Sequence, residues 1–76
     1  MLVKRSFSLS GHRTSVALEE EFWAALSGMA AELGLSLGQL VARTDAERGA
    51  SDPLASKLRV LALTNSKRFA GDDRSR

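Results

Sequence analysis

Seventy-six residues, a formal net charge of +2 and no cysteine set the limits of this chain. One small domain is the most that such a length builds, and it buries only about 60% of the surface that its unfolded chain exposes. Disulfides and thiolate metal sites are excluded, one histidine cannot make a zinc site alone, and oligomerisation is the device left for stabilising so small a core.

Absence of cysteine fits a reducing compartment. No apolar run approaches the roughly 20 residues needed to cross a bilayer. Met1-Leu2-Val3-Lys4-Arg5-Ser6 lacks the long apolar core of a secretion signal. The expectation is a soluble, cytoplasmic protein with no membrane partner. Charge is unevenly placed. Residues 1–18 carry Lys4, Arg5 and Arg13 and no acid, a net +3. Residues 19–50 set Glu19, Glu20, Glu21, Glu32, Asp45 and Glu47 against Arg43 and Arg48, a net −4. Residues 51–76 return to +3. A polyanion is therefore better received at the basic leading end than at the acidic middle.

Val3 to Ser10 alternates weakly, with Val3, Phe7 and Leu9 on one face and Lys4, Ser6, Ser8 and Ser10 on the other. Gly11 interrupts it. Residues 1–12 read either as a strand or as an extended arm. Arg13-Thr14-Ser15-Val16-Ala17-Leu18 alternates cleanly and reads as a single strand. A lone strand is incomplete, because each buried N–H or C=O without a partner costs about 1–3 kcal/mol. The simplest donor of a second strand is an identical chain. The resulting two-stranded antiparallel ribbon has the shape of the DNA major groove.

From Glu19 the apolar period lengthens to that of a helix. Phe22, Leu26, Met29, Ala30 and Leu33 form one stripe, and Trp23 lies on its flank. Glu19, Glu20 and Glu21 suit the positive end of the helix dipole, a better account of them than an acidic site, which needs a cleft and perturbed pKa values. Gly34 fits the left-handed position after a helix. Ser36 is a good N-cap for a second helix over Leu37 to about Arg48, with a stripe of Leu37, Leu40, Val41 and Thr44. Gly38 lets a backbone or a phosphate approach. Asp52 as cap and Pro53 as first helical residue open a third helix over residues 51–66, striped by Leu54, Leu58 and Leu61 and widened by Val60, Ala62 and Leu63. With Lys57, Arg59, Lys67 and Arg68 this helix has a membrane-surface composition, but a buried face is the simpler reading. Residues 67–76 are expected to fray.

The order of strand, acid-led helix, Gly34-Leu35-Ser36-Leu37 turn and second helix resembles the ribbon-helix-helix family of DNA-binding proteins. The segment from His12 to Leu26 looks closest to a bacterial subfamily of small ribbon-helix-helix domain proteins. The resemblance covers roughly Arg5 to Arg48, with residues 13–48 as its core, and continues into the Pro53 helix, an addition to the minimal pattern. The resemblance implies a mainly α fold with one β-strand per chain, in an intertwined homodimer; the added third helix could cover the dimer flank, pair dimers into a tetramer or receive a protein partner. It implies that Arg13, Ser15 and Ala17 point at base edges of double-stranded DNA while Thr14, Val16 and Leu18 face the helices. It implies phosphate contacts at Ser36, Leu37 and Gly38, helped by Lys4, Arg5 and His12 of the arm. Val16, Leu18, Phe22, Leu26, Met29, Leu37, Leu40 and Val41 would form the dimer core.

Ala17 has no hydrogen bond to offer a base and at most meets a thymine methyl, whereas Arg13 can pair with guanine at two points. Solvated Arg13 and Ser15 on an exposed face are the bland alternatives, as is a plain arm residue at His12. The leading expectation is a transcriptional repressor. The alternative is an antitoxin-like protein-interaction module that grips a partner through residues 52–69. With no nucleophile–base pair, phosphate loop or metal cluster in readable spacing, neither an enzyme nor a cofactor or metal is expected.

Overall fold

The computed structural model describes the backbone of residues 1–9, 11–49 and 51–74, with side chains through residue 64. Two strands, not one, lead it. β1 (Leu2–Leu9) and β2 (His12–Glu19) pair antiparallel in a register running from Leu2↔Glu19 to Leu9↔His12. The expected lone strand over residues 13–18 thus finds its mate within its own chain, in the segment that the sequence reads as either strand or arm. Gly11 adopts φ +83°, a left-handed conformation that glycine reaches without a Cβ penalty. The chain therefore reverses between Leu9 and His12, and one edge of β2 is filled before any second molecule arrives. The opposite edge of β2 has no partner strand among the described residues.

Three helices brace one face of this ribbon: α1 (Glu20–Leu33), α2 (Leu37–Glu47) and α3 (Leu54–Arg74). Gly34 ends α1 at φ +74°. The amides of Gly34 and Leu35 donate back to Ala31 and Ala30 at 3.1 and 2.8 Å, closing the last turn's carbonyls. Ser36 caps α2 through a reciprocal box: its hydroxyl accepts from Gln39 N at 3.1 Å, and its own N–H donates to Gln39 Oε1 at 2.8 Å. Asp52 does not cap α3. Its carboxylate accepts from Gly49 N at 3.3 Å, while Pro53 C=O accepts from Lys57 N at 3.1 Å to begin the helix. α3 also runs past residue 66, through most of the segment expected to fray.

The core joins Val16 and Leu18 of β2, Leu9 of β1, Trp23, Leu26 and Ala30 of α1, Leu40 and Val41 of α2, and Leu54, Leu58 and Ala62 of α3. Five residues assigned from sequence to a dimer core, Val16, Leu18, Leu26, Leu40 and Val41, are therefore already buried inside one chain. Phe22, Met29 and Leu37 are half-buried at its margin. The α1 stripe is rotated from the one expected. Trp23 is buried to 2% exposure, whereas Leu33 is 50% exposed. Trp23 wins the inner position because its Nε1–H donates to Val3 C=O at 2.8 Å, which satisfies the indole's polar group on burial. Its ring also lies 5.8 Å from that of Phe7, and the Arg5 guanidinium sits 5.4 Å above it. Thr44 is buried with its hydroxyl donating to Leu40 C=O at 3.0 Å.

α3 is fastened where the ribbon becomes α1. Arg59 Nε donates to Glu19 Oε1 at 3.2 Å, and its guanidinium lies 5.9 Å from the Phe22 ring. A hydrogen bond from its own backbone, opposed by desolvation and aided by Arg59, holds the Glu19 carboxyl below its ordinary value. Both side chains are more than a third exposed, so solvent screens this pair to a minor share of the stability.

Candidate nucleic-acid interface

Strand alternation sorts the ribbon into two faces. Thr14, Val16 and Leu18 turn toward the helices and are half-buried or buried. Arg13, Ser15 and Ala17 turn outward, the first two exposed and Ala17 half-buried. Register then places β1 residues beside them: Ser8 opposite Arg13, Ser6 opposite Ser15 and Lys4 opposite Ala17. Ser6 and Ser15 touch through their hydroxyls at 3.1 Å. The outer face thus carries two cations, three serines and an alanine over these six positions, and its rows end at Leu2 and Glu19, the latter bound by Arg59.

Sequence reasoning found the β2 row but set Lys4 apart as an arm residue, and it missed Ser6 and Ser8 as members of the same surface. Their signal was the polar half of the weak alternation over residues 3–10. Arg5 occupies the other face, over the Trp23 ring, and so stands away from Lys4 and Arg13. His12 is exposed at the turn end of β2, opposite Leu9.

A second feature lies beside the ribbon. A Cβ added at Gly38 would sit 3.9 Å from Phe7 of β1, an ordinary contact distance, so the start of α2 abuts the strand pair. The reciprocal cap occupies the amides of Ser36 and Gln39. That leaves the amides of Leu37 and Gly38, which a helix cannot satisfy internally. Free N–H groups at the positive end of a helix form an anion site. Among the described acids, Glu20 and Glu21 stand in the first turn of α1, and Asp45 and Glu47 at the far end of α2.

A groove of about 260 Å³ between α1, α2 and α3 is lined by Met29, Leu40, Leu61, Arg43, Glu47 and Lys57, among others. Leu33 and Val60 line it and stay exposed. Among the described residues no group of three His, Asp or Glu side chains could hold a metal ion, and no single helix is long and apolar enough to cross a membrane.

No curated protein matches this chain. Among solved structures, an uncharacterized protein from Bordetella pertussis Tohama I superposes with a TM-score of 0.79 and 32% sequence identity, over 95% of this chain. The chain spans 61% of that protein's length. The ribbon-helix-helix domain family, whose members commonly bind DNA and generally dimerise, matches residues 2–66. A match over that span, on a ribbon followed by a capped helix pair, shows that the chain belongs to the ribbon-helix-helix domain family.

Proposed function

We propose that this protein is a sequence-specific DNA-binding repressor that lays the outer face of its β-ribbon in the major groove. The observation that carries this reading is the outer array itself: Lys4 and Arg13 on a strip two strands wide, whose one carboxylate, Glu19 at its end, is engaged by Arg59. Adjacent strands lie about 4.8 Å apart, and the major groove is about 12 Å wide, so the strip fits. Arg13 and Ser15 contact base edges, and Ala17 contacts a thymine methyl. The free amides of Leu37 and Gly38, with the Ser36 hydroxyl beside them, hold a flanking phosphate, and Lys4 adds to the field. Bacterial cytoplasm is the compartment in which such a protein meets its site.

Fluorescence anisotropy with labelled random-sequence and selected duplexes, at about 50 and 200 mM salt, tests this reading. Affinity should fall steeply as salt rises, because each phosphate neutralised releases condensed counterions. Binding to neither duplex pool would refute it. Ser36→Ala removes the cap that orients the first turn of α2. It should weaken binding to every duplex alike, with no change in base preference, and it should lower stability by about 0.5–2 kcal/mol.

The proposed assembly is a homodimer. Joining the open edge of β2 to that of a sister chain would make a four-stranded sheet, about 14 Å between outermost backbones, too wide for the groove. The groove between α1, α2 and α3 is the better seam, because Leu33 and Val60 leave apolar surface at 50% and 58% exposure there. Val60→Asp should shift sedimentation from dimer to monomer by at least about tenfold in dissociation constant, since each 1.4 kcal/mol is a factor of ten and an unpaired buried charge costs more than that. An unchanged dimer would place the seam elsewhere. Another protein seated in this groove, reaching residues 52–69, is the second reading; the side chains of residues 65–69 lie outside the described ones.

A further inference from the structure

We infer that β1 is a base-reading strand, so that one chain carries a complete and asymmetric DNA-reading ribbon. The inference rests on the proposed DNA-binding function and specifies which residues of that surface discriminate. Register places Lys4, Ser6 and Ser8 on the same face as Arg13, Ser15 and Ala17, and Lys4, Ser6 and Ser8 are exposed. The two strands bring their side chains to one floor, as the 3.1 Å contact between the Ser6 and Ser15 hydroxyls requires. Any duplex that meets Ser15 therefore also meets Ser6.

The chemistry of the two rows differs. Along one direction of the ribbon, β1 presents Lys4, Ser6 and Ser8 while β2 presents Ala17, Ser15 and Arg13. Each end holds one cation, on opposite strands. Four residues of strand separate positions 4 and 8, about 13 Å at 3.3 Å per residue, which is about four base pairs of B-DNA at 3.4 Å each. Over that span the ribbon offers a lysine to one end and an arginine to the other, and both suit guanine O6 and N7. The serines between them can donate to or accept from either base of a pair. A ribbon shared by two sister strands would show identical rows and read a two-fold symmetric sequence. This one does not have that symmetry.

Charge directs the occupant toward a nucleic-acid duplex, because the face carries Lys4 and Arg13 while its one carboxylate, Glu19 at the end of the β2 row, is engaged by Arg59. Width commits it to the major groove of B-form DNA, since the major groove of A-form RNA is too deep and narrow for side chains to read.

The test is binding-site selection on the full chain from a random duplex pool, followed by affinities of Lys4→Ala, Ser8→Ala and Arg13→Ala for the selected duplex and its point variants. All three positions are exposed, and circular dichroism checks that each variant is folded. The selected core should be asymmetric over about four base pairs. Lys4→Ala and Arg13→Ala should relax preference at opposite ends of it, each by about 5- to 150-fold, and Ser8→Ala should alter preference at the Arg13 end. The inference is overturned if Lys4→Ala and Ser8→Ala lower affinity uniformly across duplexes while Arg13→Ala relaxes preference; DNA binding itself would then stand. A two-fold symmetric core within one groove, or a change of oligomeric mass in place of base preference, overturns it too. Failure of the unsubstituted chain to bind any duplex would remove the underlying function as well.

Discussion

Trp23→Ala should remove about 3–5 kcal/mol of stability, the range for truncating a large aromatic side chain in a packed core. A domain of 76 residues has about 4–11 kcal/mol in total, at roughly 0.05–0.15 kcal/mol per residue, so the variant is expected to lose from about a quarter to all of its stability. The reason is position as much as volume. Trp23 is 2% exposed, and it joins α1 to β1 through the 2.8 Å bond to Val3 C=O and its contact with Phe7. Trp23→Phe separates the terms. It keeps a ring for Phe7 and Arg5 and loses only the polar link and some volume, so it should cost about 1–3 kcal/mol. Denaturant unfolding followed by far-ultraviolet circular dichroism measures both. Wild-type stability in Trp23→Ala would mean that α1 packs by its Phe22 side, as the sequence alone suggested.

Arg13→Ala is expected to erase the preference for one base pair of the selected duplex by about 1–3 kcal/mol, the discrimination supplied by a bidentate contact to guanine. Arg13 is exposed on the outer face, and no hydrogen bond or ion pair ties it to another described residue, so its loss should leave folding intact. The readout is a ratio: affinity for the preferred duplex over affinity for its single-base variants. A base contact collapses that ratio at one position. A phosphate contact would instead weaken all duplexes together and reduce the salt slope by about one. An unchanged ratio and slope would make Arg13 a solvated charge with no part in binding.

Much of the helical frame was legible in the sequence because its signals are local. Gly34 in the left-handed region and Ser36 at the cap depend on neighbours within a few residues, and both stand where expected. β1 was harder to read, for a reason visible at Arg5. Val3, Phe7 and Leu9 mark the inner face, but Arg5 interrupts them with a charge. Only the distant Trp23 ring, supplied by α1, explains a cation there. The rotation of α1 has the same origin: a helical stripe through Phe22 and one through Trp23 fit the sequence nearly equally well, and the distant Val3 carbonyl decides between them. The candidate interface divides along the same line. Its β2 row followed from alternation, with the DNA-facing role supplied by the family resemblance, while its β1 row required the register, a non-local fact. The need for a sister strand was a sound inference from an unpaired edge, but the chain supplies that edge itself after the turn at Gly11.

Dimethyl sulfate footprinting of the wild-type protein on its selected duplex tests the central proposition most directly. The reagent methylates guanine N7 in the major groove and adenine N3 in the minor groove, and the two grooves present those atoms separately. Protection of guanine N7 within the bound segment, with adenine N3 left reactive, is the result foreseen. Protection confined to adenine N3, or a bound complex with every N7 still open, would show that the ribbon's outer face does not enter the major groove.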